Sequence, residues 1–270
     1  DMLRSQIRRI SSELGVITPS LTQNFGAYFS VLRQTLRGPA QKTFSVGCGN
    51  DQFDELLVLA EDFHYHEPQT QALGLTIEDT RPLLEKLVAK SLESPYSFIV
   101  YDEETSKPLG FRLTSVGTRE AEENGDNSIA RTLPSRKARM FWSAIERMQH
   151  EFWKAYPGVN KVLRHEICYV RPTYQRAGIA TRMLHHDLDE KSLAREHGID
   201  GIVCESTSES AHAILSLNGY SCTLKLDHTA YHFEDGEEVH FERPLKDDLR
   251  VYFRSIRNHD ESPYYVRDWS

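Results

Sequence analysis

The fold of this chain is decided by residues 170–180, which read Val170-Arg171-Pro172-Thr173-Tyr174-Gln175-Arg176-Ala177-Gly178-Ile179-Ala180. Apolar alternation before this stretch predicts a strand, and the small and apolar residues at its end predict the first turn of a helix. Backbone N–H groups in a first helical turn have no partner inside the helix. Because the helix dipole adds partial positive charge there, the turn is predicted to bind an anion such as phosphate.

Side chains near the turn suit the same ligand. Gly178 lets a ligand approach the main chain, and Arg171, Arg176 or Arg182 could hold phosphate oxygens. The alternative is an ordinary strand-to-helix turn with solvated arginines. The chemistry of these residues leaves both interpretations open.

Upstream of the turn, strand and helix patterns alternate from residue 43 onward. Strands are predicted at residues 44–48, 97–101, 109–116 and 162–170. Helices are predicted after an N-cap at Asp51, after an N-cap at Thr80, and around residues 141–153.

Downstream, one long helix is predicted from near Gly178 to Gly198, where glycine ends it. A short buried strand at 202–204, a helix at 208–217 and a run of strands over 220–256 follow. This order predicts an α+β fold in which helices flank a mixed central β-sheet.

The first forty residues differ from the rest, because apolar residues at helical spacing form two stripes separated by residues 15–19. We therefore predict three parts: an N-terminal helical hairpin at 1–42, a main domain at 43–256 and a tail at 257–270. We expect the hairpin to pack onto the main domain or onto the second subunit of a homodimer. A mitochondrial transit segment is the alternative for this Arg-rich, acid-poor stretch.

Composition excludes several classes of function. The net charge is −8, from 32 Lys and Arg against 40 Asp and Glu, which argues against a nucleic-acid partner. No apolar run is long enough to span a membrane, and no secretory signal is evident, so we expect a cytoplasmic protein with no membrane partner. The four cysteines are scattered, which predicts free thiols and no metal site.

Two motifs resemble those of the Gcn5-related N-acetyltransferase (GNAT) superfamily. Residues 175–180 resemble its Q/R-x-x-G-x-G/A signature, and residues 211–220 resemble its later A-x-x-x-Y-x-x-x-G-F/Y segment. Strands are predicted before the first motif and after its helix, in the order that this superfamily requires. The resemblance implies a GNAT fold with an N-terminal helical extension.

It also implies acetyl-CoA as co-substrate and no metal. The pyrophosphate would lie against the turn formed by Gln175, Arg176, Ala177, Gly178, Ile179, Ala180 and Thr181. The pantetheine arm would pair like an added strand with the backbone of Cys168, Tyr169 and Val170. A main-chain N–H there would polarise the acetyl carbonyl.

A narrower resemblance concerns the acceptor. The stretch Phe63-His64-Tyr65-His66-Glu67-Pro68, followed by Leu73-Gly74, is similar to the F-x-x-x-E-P...L-G pattern of insect and nematode arylalkylamine N-acetyltransferase-like enzymes. It implies a small primary amine as partner, with Glu67 as general base. The alternatives are a surface Glu67 at a helix end, with His64, His66 or Glu166 as base.

The group that protonates the leaving thiolate differs from the usual one of the superfamily. The superfamily's usual Tyr is replaced by Leu215, and resemblance to the insect enzymes suggests Ser208 and Ser210 instead. The structural alternative is a helix start, with Ser206 and Glu209 at capping-box spacing or with Ser208 as the N-cap. Alternative functions are acetylation of a polyamine, an amino acid or a protein lysine, or acetyl-CoA binding without catalysis.

Overall fold

The computed structural model describes residues 44–47, 52–123, 129–227, 231–233, 235–245, 248–256 and 267–269. The N-terminal hairpin predicted for residues 1–42, the N-cap predicted at Asp51 and most of the predicted tail lie outside these ranges. Apart from the turn at 176–178, the described residues belong to one compact unit.

The described strands form one mixed sheet of eight. They are β1 (Phe44–Gly47), β2 (Phe98–Asp102), β3 (Pro108–Thr118), β4 (Lys161–Val170), β5 (Gly201–Ser206), β6 (Ser221–Leu226), β7 (Leu249–Ser255) and β8 (Arg267–Trp269). Their order across the sheet is β1-β2-β3-β4-β5-β7-β6-β8. The pairs β4–β5 and β6–β8 are parallel, and the other neighbours are antiparallel. The predicted α+β class with a mixed sheet is confirmed.

Eight α-helices are described. They are α1 (Phe53–His64), α2 (Pro68–Leu73), α3 (Ile77–Leu92), α4 (Arg119–Glu123), α5 (Arg136–Ala155), α6 (Ile179–His185), α7 (Glu190–Arg195) and α8 (Glu209–Leu217). None of these described helices combines the length and the apolar character needed to cross a bilayer.

Helices cover both faces of the sheet. Neighbouring residues of a strand point to opposite faces, so that each face has apolar side chains for helices to cover. Val162 and Val203 pack into a cluster with α1, α2, α3 and α5. Their neighbours Leu163 and Ile202 pack into a second cluster with α6, α7 and α8. The alternation along β4 and β5 therefore produces a three-layer arrangement with the sheet in the middle.

The prediction that Thr80 is the N-cap of a helix is wrong. The cap of α3 is Thr76, which forms a capping box with Asp79, so that the helix begins one turn earlier. Thr80 lies inside α3, where it is buried and its hydroxyl is 2.9 Å from His64 Nδ1.

The single long helix predicted after Gly178 is also wrong, because the chain breaks between α6 and α7. Asp187 adopts a positive φ of 54°, and Asp189 caps α7 by accepting from Ser192 N–H at 3.0 Å. The buried guanidinium of Arg112 on β3 donates to the carbonyl oxygens of Met183 and, at 3.0 Å, His186. These contacts satisfy carbonyls that a continued helix would have used.

The sheet opens between β4 and β5. Their parallel pairing runs from Val162–Gly201 to His165–Cys204 and ends there. Beyond it, β4 stays paired with β3 up to Val170, and β5 stays paired with β7. Residues 166–170 of β4 thus have one edge with no strand partner within the described chain.

Candidate active site

A cavity lies where β4 and β5 separate. Its empty volume is about 1180 Å³, including space open to solvent. One wall is apolar and aromatic and comes from α1, α3 and α5: Phe63, Leu83, Leu84, Leu87, Phe141, Trp142 and Ile145. Residues 165–168 of β4 and residues 204–208, at the end of β5 and just after it, also line the cavity. Pockets with apolar walls and a few polar groups are typical of small-molecule sites.

Glu67 lies in this cavity as the N-cap of α2. Its φ of −78° and ψ of 121° are extended, and Pro68 follows as the first helical residue. One carboxylate oxygen, Oε2, accepts the Thr70 N–H at 2.5 Å. The other, Oε1, is buried and has no hydrogen-bond partner within the described chain. Glu67 is only 3% exposed and begins a helix, so a surface Glu at a helix end is excluded.

The surroundings of Glu67 affect its protonation in opposite directions. Burial raises the pKa of its carboxyl, while the N–H groups of Thr70 and Gln69 and the Thr207 hydroxyl act against this rise. The net pKa lies above the ordinary value for glutamate. A carboxylate that is held on one side and unpaired on the other can accept a proton from a ligand in the cavity.

The two histidines before Glu67 differ in position. His64 lines the cavity and is buried, and burial lowers its pKa. His66 is exposed and its Nδ1 contacts the Asp62 carbonyl at 2.8 Å and the Tyr169 hydroxyl at 3.0 Å. His64 therefore shares the site with Glu67, while His66 does not line it.

Glu166 also lines the cavity, but its Oε1 is occupied. This oxygen accepts from Lys90 Nζ at 3.0 Å and from Ser115 Oγ at 2.5 Å. Burial alone would raise the pKa of Glu166, but the charges of Lys90 and Arg164 outweigh it and hold the pKa below its ordinary value. A paired carboxylate with a lowered pKa is a weaker base than Glu67.

Beside it, Arg164 and Glu205 form a buried ion pair, joined through Arg164 Nη1 and Glu205 Oε1. The side chains are 1% and 6% exposed. Two further carboxylates are near Arg164: Glu166, and Glu122, whose Oε1 is 3.5 Å from Nη2. Burial raises the pKa of Glu205, and the charge of Arg164 opposes that rise.

Arg164→Met is expected to lower the free energy of unfolding by about 3 kcal/mol at pH 8, because it leaves Glu205 buried without its cation. Since Glu205 can escape the cost by protonation, the loss should be smaller at pH 5. Urea unfolding at both pH values measures it. The double variant Arg164→Met/Glu205→Met should recover most of the loss. A single-variant loss below about 1 kcal/mol would contradict a tight buried pair.

The serines predicted near the thiol lie after β5. Ser208 lines the cavity and is the N-cap of α8, its Oγ accepting the Ala211 N–H at 3.3 Å. Its structural role is thus confirmed, and its Oγ is also 3.3 Å from that of Ser210. Ser210 is exposed and does not line the cavity. The capping box predicted for Ser206 and Glu209 is wrong, because Ser206 ends β5 and the N-cap is Ser208. Ser206 instead lines the cavity with a buried Oγ that has no partner in the described chain.

Cys168, Tyr169 and Val170 lie on the stretch of β4 that is paired only with β3. Cys168 lines the cavity, and burial raises the pKa of its thiol to about 11, so that it stays protonated. The Tyr169 ring packs against Phe63 and Phe111. Backbone groups at this opened edge can pair with an extended ligand as a further strand would.

The turn before α6 has an unusual backbone. Arg176 and Gly178 adopt positive φ values of 62° and 74°, and α6 begins at Ile179. A Cβ on Gly178 would meet no described atom within 4 Å. The Gln175 side chain donates to the Val170 carbonyl at 2.9 Å, which ties the turn to β4. A positive φ at a non-glycine residue costs energy and is common at ligand sites.

Some residues of the predicted pyrophosphate motif lie at the surface and others lie in the interior. Gln175, Arg176, Ala177 and Thr181 are exposed, whereas Ile179 is buried and Ala180 lines the cavity. Among the arginines proposed for phosphate, Arg171 already pairs with Asp62 at 3.0 Å.

Leu215, at the place of the usual Tyr, is buried and lines the cavity without a polar group. Tyr220 contacts the site through its hydroxyl, which is 3.2 Å from Nε2 of His165, a residue that lines the cavity. Burial lowers the pKa of His165 to about 3, so this histidine is neutral near pH 7. For metal binding, no group of three or more His, Cys, Asp or Glu side chains suits an ion in the part of the chain described.

Comparison by sequence alone finds no counterpart: no protein-family model matches the chain, and no curated protein does. The fold, however, is similar to solved structures. Arylalkylamine N-acetyltransferase 2 from Aedes aegypti has a TM-score of 0.64 and 18% identity, covering 80% of this chain and 100% of that chain. Drosophila melanogaster polyamine N-acetyltransferase, which catalyses the formation of N-acetylagmatine, has a TM-score of 0.66 and 14% identity, covering 79% and 100%.

A third similar structure is the C-terminal condensation domain of Ebony in complex with β-alanyl-dopamine, with a TM-score of 0.64 and 18% identity, covering 80% and 100%. At such identities the similarity concerns the fold. The chain therefore has the GNAT fold that its motifs predicted. Insect arylalkylamine N-acetyltransferases are prominent among its structural neighbours.

Proposed function

We propose that this protein is an acetyl-CoA-dependent N-acetyltransferase that transfers the acetyl group directly to a small primary amine. The observation that carries the proposal is the position of Glu67, a buried carboxylate with one unpaired oxygen, in the cavity beside the opened edge of β4. A thioester donor, an amine acceptor and a general base can meet there.

Acetyl-CoA fits the features around the opening. Its pantetheine arm would pair with the free edge of Cys168, Tyr169 and Val170, and its pyrophosphate would lie against the amides of residues 175–181. The positive φ of Arg176 and Gly178 supports a turn shaped for a ligand. The resemblance in sequence supplies the identity of that ligand.

The acceptor must lose a proton before it can attack. An alkylamine with a pKa near that of lysine, about 10.4, is neutral in roughly one molecule in a few thousand at pH 7. Glu67 is the base in the proposal, because its pKa is raised and its Oε1 is unpaired. The carbonyl oxygen would receive negative charge near the backbone N–H groups of β4.

An arylalkylamine is the acceptor that the cavity suits best. The wall facing β4 carries Phe63, Phe141 and Trp142 among leucines and isoleucine, and aromatic rings pack well against such a surface. A polyamine is the second candidate, since Glu166 and Glu205 also line the cavity. Both carboxylates, however, already have cationic partners in Lys90 and Arg164.

For the leaving thiolate we propose a serine hydroxyl that relays a proton from solvent, so that the serine is still protonated at the end of the step. Ser208 lines the cavity, as the resemblance requires, and Ser206 offers a second hydroxyl there that has no partner in the described chain. Ser210 stays a prediction, since it reaches the site only through its contact with Ser208.

Thiol release from acetyl-CoA, measured with arylalkylamines, polyamines, amino acids and a histone peptide, tests the proposal. We expect turnover with tryptamine or tyramine, and kcat/KM for these at least about tenfold above that for spermidine or the peptide. A preference for spermidine would show that the acceptor is a polyamine and not an arylalkylamine. Binding of acetyl-CoA without thiol release from any acceptor would show a catalytically silent binding module instead.

A further inference from the structure

The connection between β6 and β7 passes over helix α2, whose N-cap is Glu67. The described part of this connection, residues 231–233 and 235–245, is here termed the β6–β7 segment. Its Tyr231 hydroxyl donates to Gln69 Oε1 at 2.5 Å, and both residues are buried. Farther along, the Glu242 N–H donates to the Ala72 carbonyl at 2.7 Å. The segment therefore holds α2 near both of its ends.

The same segment is attached to the start of α5. Arg136 lies 3.9 Å above the Phe233 ring and pairs with Asp235 at 2.5 Å and Glu237 at 2.7 Å. Lys137 Nζ lies 3.4 Å from Oε1 of Glu242 in the same segment. Exposed ion pairs add little stability individually, but together these contacts fix where the segment runs.

Gln69 connects the segment to the proposed base. Its side chain accepts from Tyr231, while its backbone N–H and that of Thr70 face the Glu67 carboxylate. These two N–H groups belong to the first turn of α2, which is only six residues long. So short a helix has little stability of its own, so contacts from outside must hold its first turn in place.

We propose that Tyr231 is a positioning residue for Glu67, which holds Gln69 so that the first turn of α2 presents its N–H groups to the carboxylate. This role rests on the proposed function, because it takes Glu67 to be the base. Tyr231 itself lines none of the cavity and so needs no contact with substrate.

The consequence of losing Tyr231 has a definite sign. The N–H groups of Gln69 and Thr70 lower the pKa of Glu67, so a looser first turn lets that pKa rise further. A base with a higher pKa is protonated at higher pH, and the acid limb of the pH–rate profile moves upward. Burial, and next the charge of Glu67, raise the pKa of Tyr231, which remains neutral throughout.

Other titratable groups face the same cavity and could contribute to the limb: His64, His165, Glu166, Cys168, Cys204 and Glu205. Of these, His64 on α1 is nearest to Glu67 in sequence and loses its proton below the ordinary histidine pKa. The limb must therefore be assigned by observing the Glu67 carboxyl directly.

The test compares Tyr231→Phe, Gln69→Leu and the double variant with wild type. Tyr231→Phe keeps the ring and removes one hydroxyl. We expect the acid limb of the pH–rate profile to move up by about half a pH unit to one pH unit, which is a three- to tenfold loss of kcat at pH values below the limb. KM for acetyl-CoA should not change. Tyr101→Phe is the matched control, because its hydroxyl donates to Glu55 at 2.7 Å, away from the cavity. Its limb should stay in place.

The double variant tests the route through Gln69. Because both residues act through one contact, its shift should equal that of either single variant, and additive shifts would overturn the route. If the wild-type limb coincides with the titration of the Glu67 carboxyl, an unchanged limb in folded Tyr231→Phe would overturn the proposal itself.

A second readout needs no activity. In protein carrying ¹³C-labelled glutamate carboxyls, the Glu67 resonance, assigned by its loss in Glu67→Gln, should titrate at higher pH in Tyr231→Phe than in wild type. If wild type acetylates no amine, the proposed function fails, and this titration still decides the positioning role. An unchanged titration would reject it.

Discussion

Glu67→Gln is expected to lower kcat for amine acetylation by about a hundredfold or more at pH 7, the range typical of a lost general base. Glutamine keeps the volume of the side chain and can still accept the Thr70 N–H, so α2 keeps its cap. It cannot accept the acceptor's proton. Because most of the amine is protonated at pH 7, the loss should shrink as the pH approaches the amine pKa. Steady-state thiol release between pH 6 and 10 measures it.

Glu166→Gln is the comparison in the same cavity. Its carboxylate is held by Lys90 and Ser115, so the change should affect stability more than the pH dependence of the rate. Acetyl-CoA affinity should be nearly unchanged in Glu67→Gln. If instead the rate persists in Glu67→Gln and disappears in Glu166→Gln, the base is Glu166.

Gly178→Val is expected to weaken coenzyme A binding by about a hundredfold or more. A branched side chain at this turn would prevent the pyrophosphate from reaching the main chain, and losing two charge-assisted hydrogen bonds costs about 3 kcal/mol or more. Since a Cβ here meets no described atom within 4 Å, the substitution should not disturb packing within that part of the chain. Calorimetric titration of the variant with coenzyme A measures the effect.

The control for backbone strain is Gly236→Val. Gly236 has a φ of 80°, close to the 74° of Gly178, and a Cβ there also meets nothing described within 4 Å. Both variants should therefore lose a similar stability, about 1–2 kcal/mol for a side chain at positive φ. Only Gly178→Val should lose the ligand. Equal affinity for coenzyme A in the two variants would show that the pyrophosphate does not bind at this turn.

Much of the sheet could be predicted from local patterns. The predicted strands at 162–170 and 202–204 lie within β4 and β5, because buried strands carry strong apolar alternation. The separation of these two strands after His165 and Cys204 follows from their lengths and register, which alternation does not encode. The cavity could therefore not be predicted from the sequence, although several of the residues that line it were.

Helix ends were predicted less well, because competing signals decide them. Thr76 and Thr80 both suit an N-cap, and only Thr76 has Asp79 three residues later to complete the box. The break after α6 depends on Arg112, which lies about seventy residues earlier. The apolar periodicity around the break does not depend on so distant a side chain, so it predicted one continuous helix.

Within the site, motif resemblance indicated Glu67 and Ser208, both of which line the cavity. Thr207 and Ser206 were not predicted to line the cavity, because a hydroxyl at a strand end has many ordinary roles. The contact between Tyr231 and Gln69 was missed because it joins residues far apart in sequence. The domain boundaries, the homodimer and the cytoplasmic location stay predictions.

Titration of the wild-type protein with coenzyme A in a calorimeter tests the central claim most directly. If the edge of β4 and the turn at 175–181 form a cofactor site, one molecule of coenzyme A should bind per chain, and the melting temperature should rise with its concentration. A folded protein that shows neither heat of binding nor a change in melting temperature at millimolar coenzyme A would contradict the assignment of this cavity to acetyl transfer.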